Sequence, residues 1–411
     1  MCCKFSLDTD SPVGATGRYR ILDALRGMAL SGICLANFPE FALYTFQKRE
    51  VAEAMPTATL DGIVKYLQYV FIDGKFYSMF SILFGIGFAI ILSRSLQKNK
   101  NGLTVFYRRM AALAIIGFLH LMFVWSGDIL LLYALLGMLL PLFRNLSDKK
   151  LLFLSAALIL FPIVMDALKE LTGFDSAAPA IRATQYFNRK NGITDDNFGT
   201  WLLNAESYPD VFKFLISGAF IRIREFAEGN RIFKVLALFI LGLYIGRNRM
   251  YANLARHRLL LKQISLYGFS VGIPLSALYA WSATDNHPLG LTGHAVLYAL
   301  SVAPVCLAYL SAISLWYLKR PESGIFRLFA QPGRMALSNY VGQSVCGAVI
   351  FYGIGFGLGA TMGLVYVELI AAGVFMLQIF FSCIWMRYLQ FGPLEWIWRM
   401  FTYGKRLKLI R

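Results

Sequence analysis

The chain has 411 residues, of which 57% are hydrophobic, 15% aromatic and only 15% charged, and its mean hydropathy is +0.57. A water-soluble domain carries roughly a quarter charged residues, so this composition excludes a soluble globular protein and indicates an integral membrane protein. The formal net charge of +17 calls for no nucleic-acid partner, because the basic residues sit in loops between apolar blocks, where they set topology.

The first twenty residues, with Lys4, Arg18 and Arg20, hold no apolar core of signal-peptide type, so the first apolar helix is expected to act as the insertion signal. Ten spans are predicted in chain order, at 22–46, 75–93, 106–126, 129–143, 151–168, 232–247, 263–282, 291–318, 335–357 and 365–387. Each approaches the ~20 apolar residues that cross a bilayer. Residues 60–72, LDGIVKYLQYVFI, are apolar but too short to cross ahead of the break at Asp73-Gly74-Lys75, and are expected at the interface.

Lysine and arginine set the orientation. The N-terminal tail, the loops 94–109, 144–150, 247–262 and 319–334, and the C-terminal 387–411 hold 26 of them. The short loops of the opposite side hold only Lys48 and Arg49. Both termini are therefore expected in the cytoplasm. Loop 169–231 carries eight more, but loops of that length translocate largely regardless of charge. Its mixture of aromatic and polar residues predicts an ordered cap or connecting loop on the outer face rather than a flexible linker. The expected architecture is an all-α polytopic helix bundle in a lipid bilayer. It comprises an N-terminal half (1–168), the outer loop or cap (169–231) and a C-terminal half with a cytoplasmic amphipathic tail (232–411). Of the six cysteines, Cys2 and Cys3 are read as part of a reduced tail, and Cys34, Cys306, Cys346 and Cys383 as small apolar residues within spans.

An ionisable side chain inside a span costs roughly 2.5–3.5 kcal/mol on insertion scales, so such groups should face the bundle interior or water. In the first span Asp23 and Arg26 are three apart, which suits a local ion pair. Asn37 lies eleven residues beyond Arg26, about three turns along nearly the same face. A polar stripe should thus run from the inner mouth toward Glu40. Asp73 and Lys75 begin the second span. The third, GFLHLMFVWSGDILLLY, brings His120 and Trp125, with Asp128 opening the fourth. Trp125 is read as an interfacial aromatic and Asp128 as a helix N-cap. His120 is read either as a base or as a histidine tied to a backbone carbonyl. His287 and His294 join the outer side. The ninth span carries Arg334 at its mouth, then Asn339 and Gln343 four apart, as path-lining groups or interhelical hydrogen-bond partners. Its continuation FYGIGFGLGATMG reads as close helix packing or a backbone-lined path. The terminal FGPLEWIWRMFTYGKRLK reads as an amphipathic helix on the inner surface.

No GxxxxGK[ST] occurs, which removes ATP-driven transport from expectation, and there is no HExxH, paired CxxC or other metal-ligand spacing. No permanently bound cofactor is expected; haem is disfavoured by the few histidines at depth. An inverted repeat of transporter type is not evident.

RILDALRGMALSGICLANF, DGKFYSMFSILFGIGFAIIL, GFLHLMFVWSGDILLLYALLGMLL and QPGRMALSNYVGQS, with the tail GPLEWIWRMFTYGK, resemble the YeiB-like family of bacterial inner-membrane proteins, whose C-terminal half is domain-of-unknown-function family 418. The first span also distantly resembles the transmembrane acyltransferases that include heparan-α-glucosaminide N-acetyltransferase. Asp23, Arg26, Gly27 and Asn37 match that group's first-helix pattern. Those enzymes place a histidine in or just beyond this helix, and residues 37–56 here contain none. The resemblance implies a bacterial cytoplasmic membrane and an acyl group carried from cytosolic acyl-CoA, as substrate, to a glycan, lipid or small-molecule acceptor on the outer face. Asp23, Arg26 and Arg334 would hold the donor, with arginine geometry suited to its phosphates. His120, oriented by Asp128, would serve as general base. Asn37, Asp73, Lys75, Asn339 and Gln343 would line the path. A small-solute or ion-coupled carrier, and a non-catalytic structural or signalling protein, are the alternatives.

Overall fold

In lipid only a helix satisfies the backbone of a single apolar segment, and the apolar blocks of this chain fold accordingly. The computed structural model describes residues 19–96 and 102–411. These are all-helical, with no strand beyond one bridge pairing Leu389 with Ile410. Cys2, Cys3, Lys4, Arg18, Lys98 and Lys100 lie outside the described residues.

In chain order α1 (Arg20–Phe41) is followed by the short α2 (Arg49–Glu53) and by α3 (Ala58–Phe71) and α4 (Lys75–Leu96). Next come α5 (Gly102–Phe123), α6 (Leu130–Gly137), α7 (Asp148–Thr172), α8 (Ala178–Asn191), α9 (Tyr208–Glu228) and α10 (Arg231–Arg247). The C-terminal part holds α11 (Arg258–Thr284), α12 (Gly290–Lys319), α13 (Gly324–Arg334), α14 (Ala336–Phe351), α15 (Leu364–Tyr388) and α16 (Pro393–Tyr403).

Among the described residues, seven stretches are long and apolar enough to cross a membrane, and the pair α9–α10, bent by 68° at its junction, makes an eighth. The predicted number was ten, and length explains the difference. The predicted span 129–143 is the short apolar segment Leu130–Phe143. The predicted span 335–357 ends as a helix at Phe351, leaving 16 residues in α14. At 1.5 Å per residue that is about 24 Å, short of the ~30 Å hydrocarbon layer. Residues 60–72, expected at the interface, instead join the second span in one 36-residue unit, Ala58–Ser93. Gly74, in the left-handed region at φ +76°, turns the chain between α3 and α4.

Loop 169–231 is largely helical. The C-terminal end of α7 closes on Gly173 in the left-handed conformation, and α8 and α9 follow. α9 buries Val211, Phe214 and Leu215 against the bundle, so it is part of the core rather than a loop above it. The connection after α1 is tied to this region: Gln47 donates to the Gly199 carbonyl at 3.0 Å, and Lys48 pairs with Asp196 at 2.7 Å.

Two helix crossings rely on glycine. A Cβ on Gly27 would lie 1.9 Å from the Phe329 carbonyl oxygen, and one on Gly333 would lie 1.8 Å from that of Asp23. α1 and α13 therefore touch backbone to backbone. α4 and α10 do the same, since a Cβ on Gly85 would meet the Phe239 oxygen at 2.1 Å and one on Gly242 the Ile82 oxygen at 2.1 Å. Small residues permit such close approach inside membranes, where packing rather than water drives helix association.

The glycine-rich run after α14 is neither a helix contact nor a path. Gly353 N–H donates to the Leu202 carbonyl at 2.9 Å, Gly359 N–H to Phe351 at 2.8 Å and Ala360 N–H to Ala42 at 2.8 Å. The run is a knot of turns that plugs the end of the bundle against residues 202–205 and the end of α1.

α16 docks one face on the protein and leaves Ile397 and Phe401 exposed. Glu395 accepts from the Leu337 and Ser338 N–H groups at 2.7 and 3.1 Å and from the Ser338 hydroxyl at 2.5 Å. The carboxylate thereby caps the otherwise unsatisfied N-terminus of α14. Trp398 adds a hydrogen bond from its indole N–H to the Arg109 carbonyl at 2.8 Å, and the Arg109 guanidinium lies 3.9 Å from the Trp398 ring centroid. Burial pushes the Glu395 carboxyl upward, and the three hydrogen bonds oppose that shift. Glu395→Ala is expected to cost about 2 kcal/mol, as a lost cap with charge-assisted bonds. It should also expose residues 389–411 to limited proteolysis; an unchanged cleavage pattern would count against the docking.

Candidate functional site

α1 presents one face to an open cavity of about 1050 Å³. Leu22, Asp23, Arg26, Leu30, Ile33, Asn37 and Glu40 line it, at the three- and four-residue spacing of a single helix face. The opposite face, with Ala24, Leu25, Ala29, Cys34 and Phe38, is buried in the core. The predicted polar stripe is thus in place, and the Asp23–Arg26 ion pair is present at 3.2 Å.

The cavity's two ends differ in charge. At the end where α1 begins, Arg26, Arg109, Arg334 and Arg399 face it, with Asp23 and Glu395 as the carboxylates. Arg26 and Arg334, the sequence neighbours of Gly27 and Gly333 at the α1–α13 crossing, both line this end. Arg109 and Arg399 were not foreseen. They converge here only because α16 folds back onto α5. At the far end Glu40, Asp73, Asp195, Glu225 and Glu228 line the cavity together with Arg222, Arg224 and Arg231. Arg222 pairs with Glu225 at 2.6 Å and with Glu40 at 3.5 Å, and donates to the Ser126 carbonyl at 3.1 Å. Arg231 lies over the Tyr77 ring, 4.6 Å from its centroid. Both arginines belong to segments read from sequence as outer loop. The available signal was the helical spacing of Arg222–Glu225 and Arg224–Glu228 in FIRIREFAE, which marks a helix with one charged face.

His120 and Asp128 meet. His120 Nδ1 and an Asp128 oxygen are 2.9 Å apart, and the second Asp128 oxygen accepts from Leu131 N–H at 2.8 Å, capping α6. Asp128 is therefore both the helix cap the sequence indicated and the partner of His120. A third member was not anticipated: Ser344 Oγ on α14 stands 2.9 Å from His120 Nε2. All three are almost wholly buried, at 2%, 1% and 1% exposure for His120, Asp128 and Ser344. No backbone carbonyl takes the place of these partners. The trio lies outside the cavity lining, separated from it by Tyr340, whose ring centroid is 5.4 Å from that of His120. Trp125, expected at the membrane interface, is instead buried against Phe41 at 4.4 Å between ring centroids.

The remaining predicted positions divide. Asp73 lines the cavity and accepts from the Tyr279 hydroxyl at 2.6 Å. Lys75 is fully buried beside it, donating to the Tyr69 carbonyl at 2.5 Å, and is not a lining residue. Asn339 and Gln343 also stay out of the lining. Asn339 donates to Ser382 at 2.9 Å and Gln343 to Gln378 at 3.0 Å, and Gln378 returns a bond to the Asn339 carbonyl at 2.8 Å. These two are the hydrogen-bonded joint between α14 and α15. His287 and His294 stack edge to face at 4.2 Å, with His294 held by Ser282 at 3.0 Å.

The stretch GFSVG at 268–272 has the GxSxG spacing of a hydrolase nucleophile elbow. It lies inside the continuous helix α11, with Ser270 exposed and both glycines packed on α12, so it has no strand-to-helix turn and no strained serine. Among the described residues no group of three histidine, cysteine or carboxylate side chains could hold a metal ion.

Comparison with known proteins names no activity. Residues 245–405 match the family described as "Protein of unknown function (DUF418)". The chain is 29% identical to the uncharacterised protein YxaH of Bacillus subtilis, over 95% of this chain and 96% of that one. It is 28% identical to the uncharacterised protein YeiB of Escherichia coli, over 93% and 95%. It is 26% identical to an uncharacterised 39.9 kDa protein of Bacillus acidopullulyticus, over 97% and 98%. No solved structure matches. This multi-helix membrane protein thus carries a DUF418-like segment at 245–405 and is similar to YeiB and YxaH over nearly its whole length.

Proposed function

We propose that the cavity carries an acyl group from a cytosolic acyl-CoA to an acceptor at the outer face of a bacterial cytoplasmic membrane, with both termini in the cytoplasm. The observation behind this reading is one cavity along the polar face of α1, arginine-rich at the end where α1 begins and carboxylate-rich at the other. Arg26, Arg109, Arg334 and Arg399 suit the phosphates of the donor, because guanidinium groups bind phosphate oxygens in pairs. The acceptor, a glycan, lipid or small molecule with a hydroxyl or amine, would meet the thioester toward Glu40.

His120 keeps its place behind Tyr340 and serves this reading as a positioning group. The proton acceptor that touches the cavity is Glu40. As the acceptor's oxygen or nitrogen bonds to the thioester carbonyl carbon, its proton passes to Glu40. The carbon–sulfur bond then breaks, and the thiolate leaves with that proton as free coenzyme A thiol.

The test is thiol release by purified protein in nanodiscs supplied with acetyl-CoA and candidate acceptors, alongside thermal protection by the donor. Arg26→Ala is expected to weaken donor protection at least tenfold. Glu40→Gln should keep protection and lose turnover by about 100-fold, the typical scale of general-base catalysis. If acyl-CoA neither protects the protein nor releases thiol, the reading fails. One observation favours a carrier instead: His120, the histidine paired with Asp128, is walled off from the cavity, so no histidine base reaches it. Solute flux in proteoliposomes without thiol release would select that reading.

A further inference from the structure

A second concavity, of about 1720 Å³, opens at the end of the molecule where α1 begins. It lies between the start of α1, the α10–α11 connection and α13. Five arginines face it, Arg20, Arg256, Arg327, Arg334 and Arg411, against two side-chain carboxylates, Asp23 and Glu322. Both carboxylates are engaged, Glu322 with Arg20 at 2.9 Å and Asp23 with Arg26 at 3.2 Å. Arg256 and Arg327 are exposed and form no ion pair among the described residues. Tyr19 and Tyr251, packed edge to face at 4.8 Å, and Tyr317 supply an aromatic wall.

We propose that this vestibule is a binding site for a phosphorylated ligand, with Arg256 and Arg327 as the phosphate-binding residues. Three arguments support it. First, the concavity gathers exposed arginines from two connections far apart in sequence, residues 248–257 and α13, onto one space. A charge excess serving membrane orientation alone needs no such convergence. Second, guanidinium forks match phosphate oxygens, and an aromatic wall beside them suits a ligand that is part phosphate and part ring. Third, Tyr19, Asp23 and Arg334 line both this vestibule and the membrane cavity. An occupant of the vestibule therefore bears directly on the cavity's mouth. Arg334 is shared with the donor end of the cavity, but Arg256 and Arg327 are not, so the site holds whatever chemistry the cavity performs.

The probes are ADP, inorganic pyrophosphate and adenosine, titrated by calorimetry against the full-length protein in phosphatidylcholine nanodiscs. ADP and pyrophosphate are expected to bind and adenosine to bind at least tenfold more weakly. The double variant Arg256→Gln/Arg327→Gln, both exposed and outside the cavity lining, should keep the unliganded melting temperature and lose at least tenfold in ADP affinity. Phosphatidylglycerol nanodiscs distinguish the source of the phosphate. Competition with ADP that the double variant abolishes supports the site and assigns its phosphate to a lipid headgroup, whereas undiminished ADP binding supports a soluble ligand. Failure of both ADP and pyrophosphate to bind, or equal affinity in the double variant, overturns the proposal.

Discussion

Asp128→Ala is expected to lower the stability of the detergent-solubilised protein by about 3 kcal/mol. The carboxylate serves two elements at once. One oxygen caps the first turn of α6 through Leu131 N–H, and the other holds His120 Nδ1. A lost cap costs about 1 kcal/mol, and a buried donor left without its acceptor costs about 1–3 kcal/mol more. Ser344→Ala removes only the far partner of His120 and should cost about 1 kcal/mol. Asp128→Asn keeps one carbonyl oxygen and should fall between them. Thermal or denaturant unfolding of the three variants ranks them; an Asp128→Ala protein no less stable than Ser344→Ala would remove Asp128 as the joint between α5 and α6.

The second large effect is expected where α1 crosses α13. Gly27→Ala and Gly333→Ala each place a methyl group within 2 Å of a carbonyl oxygen of the other helix, and a backbone oxygen cannot rotate away as a side chain can. The helices must separate, at a cost of about 1–3 kcal/mol for overpacking and more if the crossing is lost. Gly62 and Gly373 provide the control. Each is helical, and a Cβ there meets nothing within 4 Å. Alanine at those sites should be neutral or stabilise by up to about 1 kcal/mol through helix propensity. Because Arg26 and Arg334 flank the crossing, the two destabilised variants should also lose whatever anion binding the cavity mouth provides. Equal melting temperatures for all four alanine variants would contradict the backbone contact.

Much of this arrangement was legible in the sequence where the signal is local. Apolar blocks of bilayer length gave the helical membrane architecture, and the spacing of Asp23, Arg26, Asn37 and Glu40 gave the cavity-facing side of α1. What stayed hidden depends on pairing across the chain. Ser344 is an ordinary serine until α14 is laid against α5, and Arg109 and Arg399 are topology charges until α16 docks. The same ambiguity explains α16 itself, since an apolar face turned toward lipid and one turned toward protein have the same pattern. Asn339 and Gln343 illustrate the converse. Their four-residue spacing correctly places them on one face, but that face meets Gln378 and Ser382 rather than the cavity. The short helices misled the count for a physical reason: α14 needs less than a full membrane thickness because the turns at 352–363 complete its end with protein.

That last feature bears on the order in which the chain can be assembled. At its two ends the run of turns after α14 finds hydrogen-bond acceptors at Leu202 and Ala42, which a ribosome produces long before residue 353. A helix of 16 residues gains too little from lipid to settle alone, and two N–H groups of the backbone that follows it, those of Gly353 and Ala360, have no acceptors until those earlier carbonyls are in place. The N-terminal part of the protein therefore acts as the template on which α14 is seated, so that biogenesis proceeds from front to back, and a detached C-terminal half would emerge without the surface that receives it.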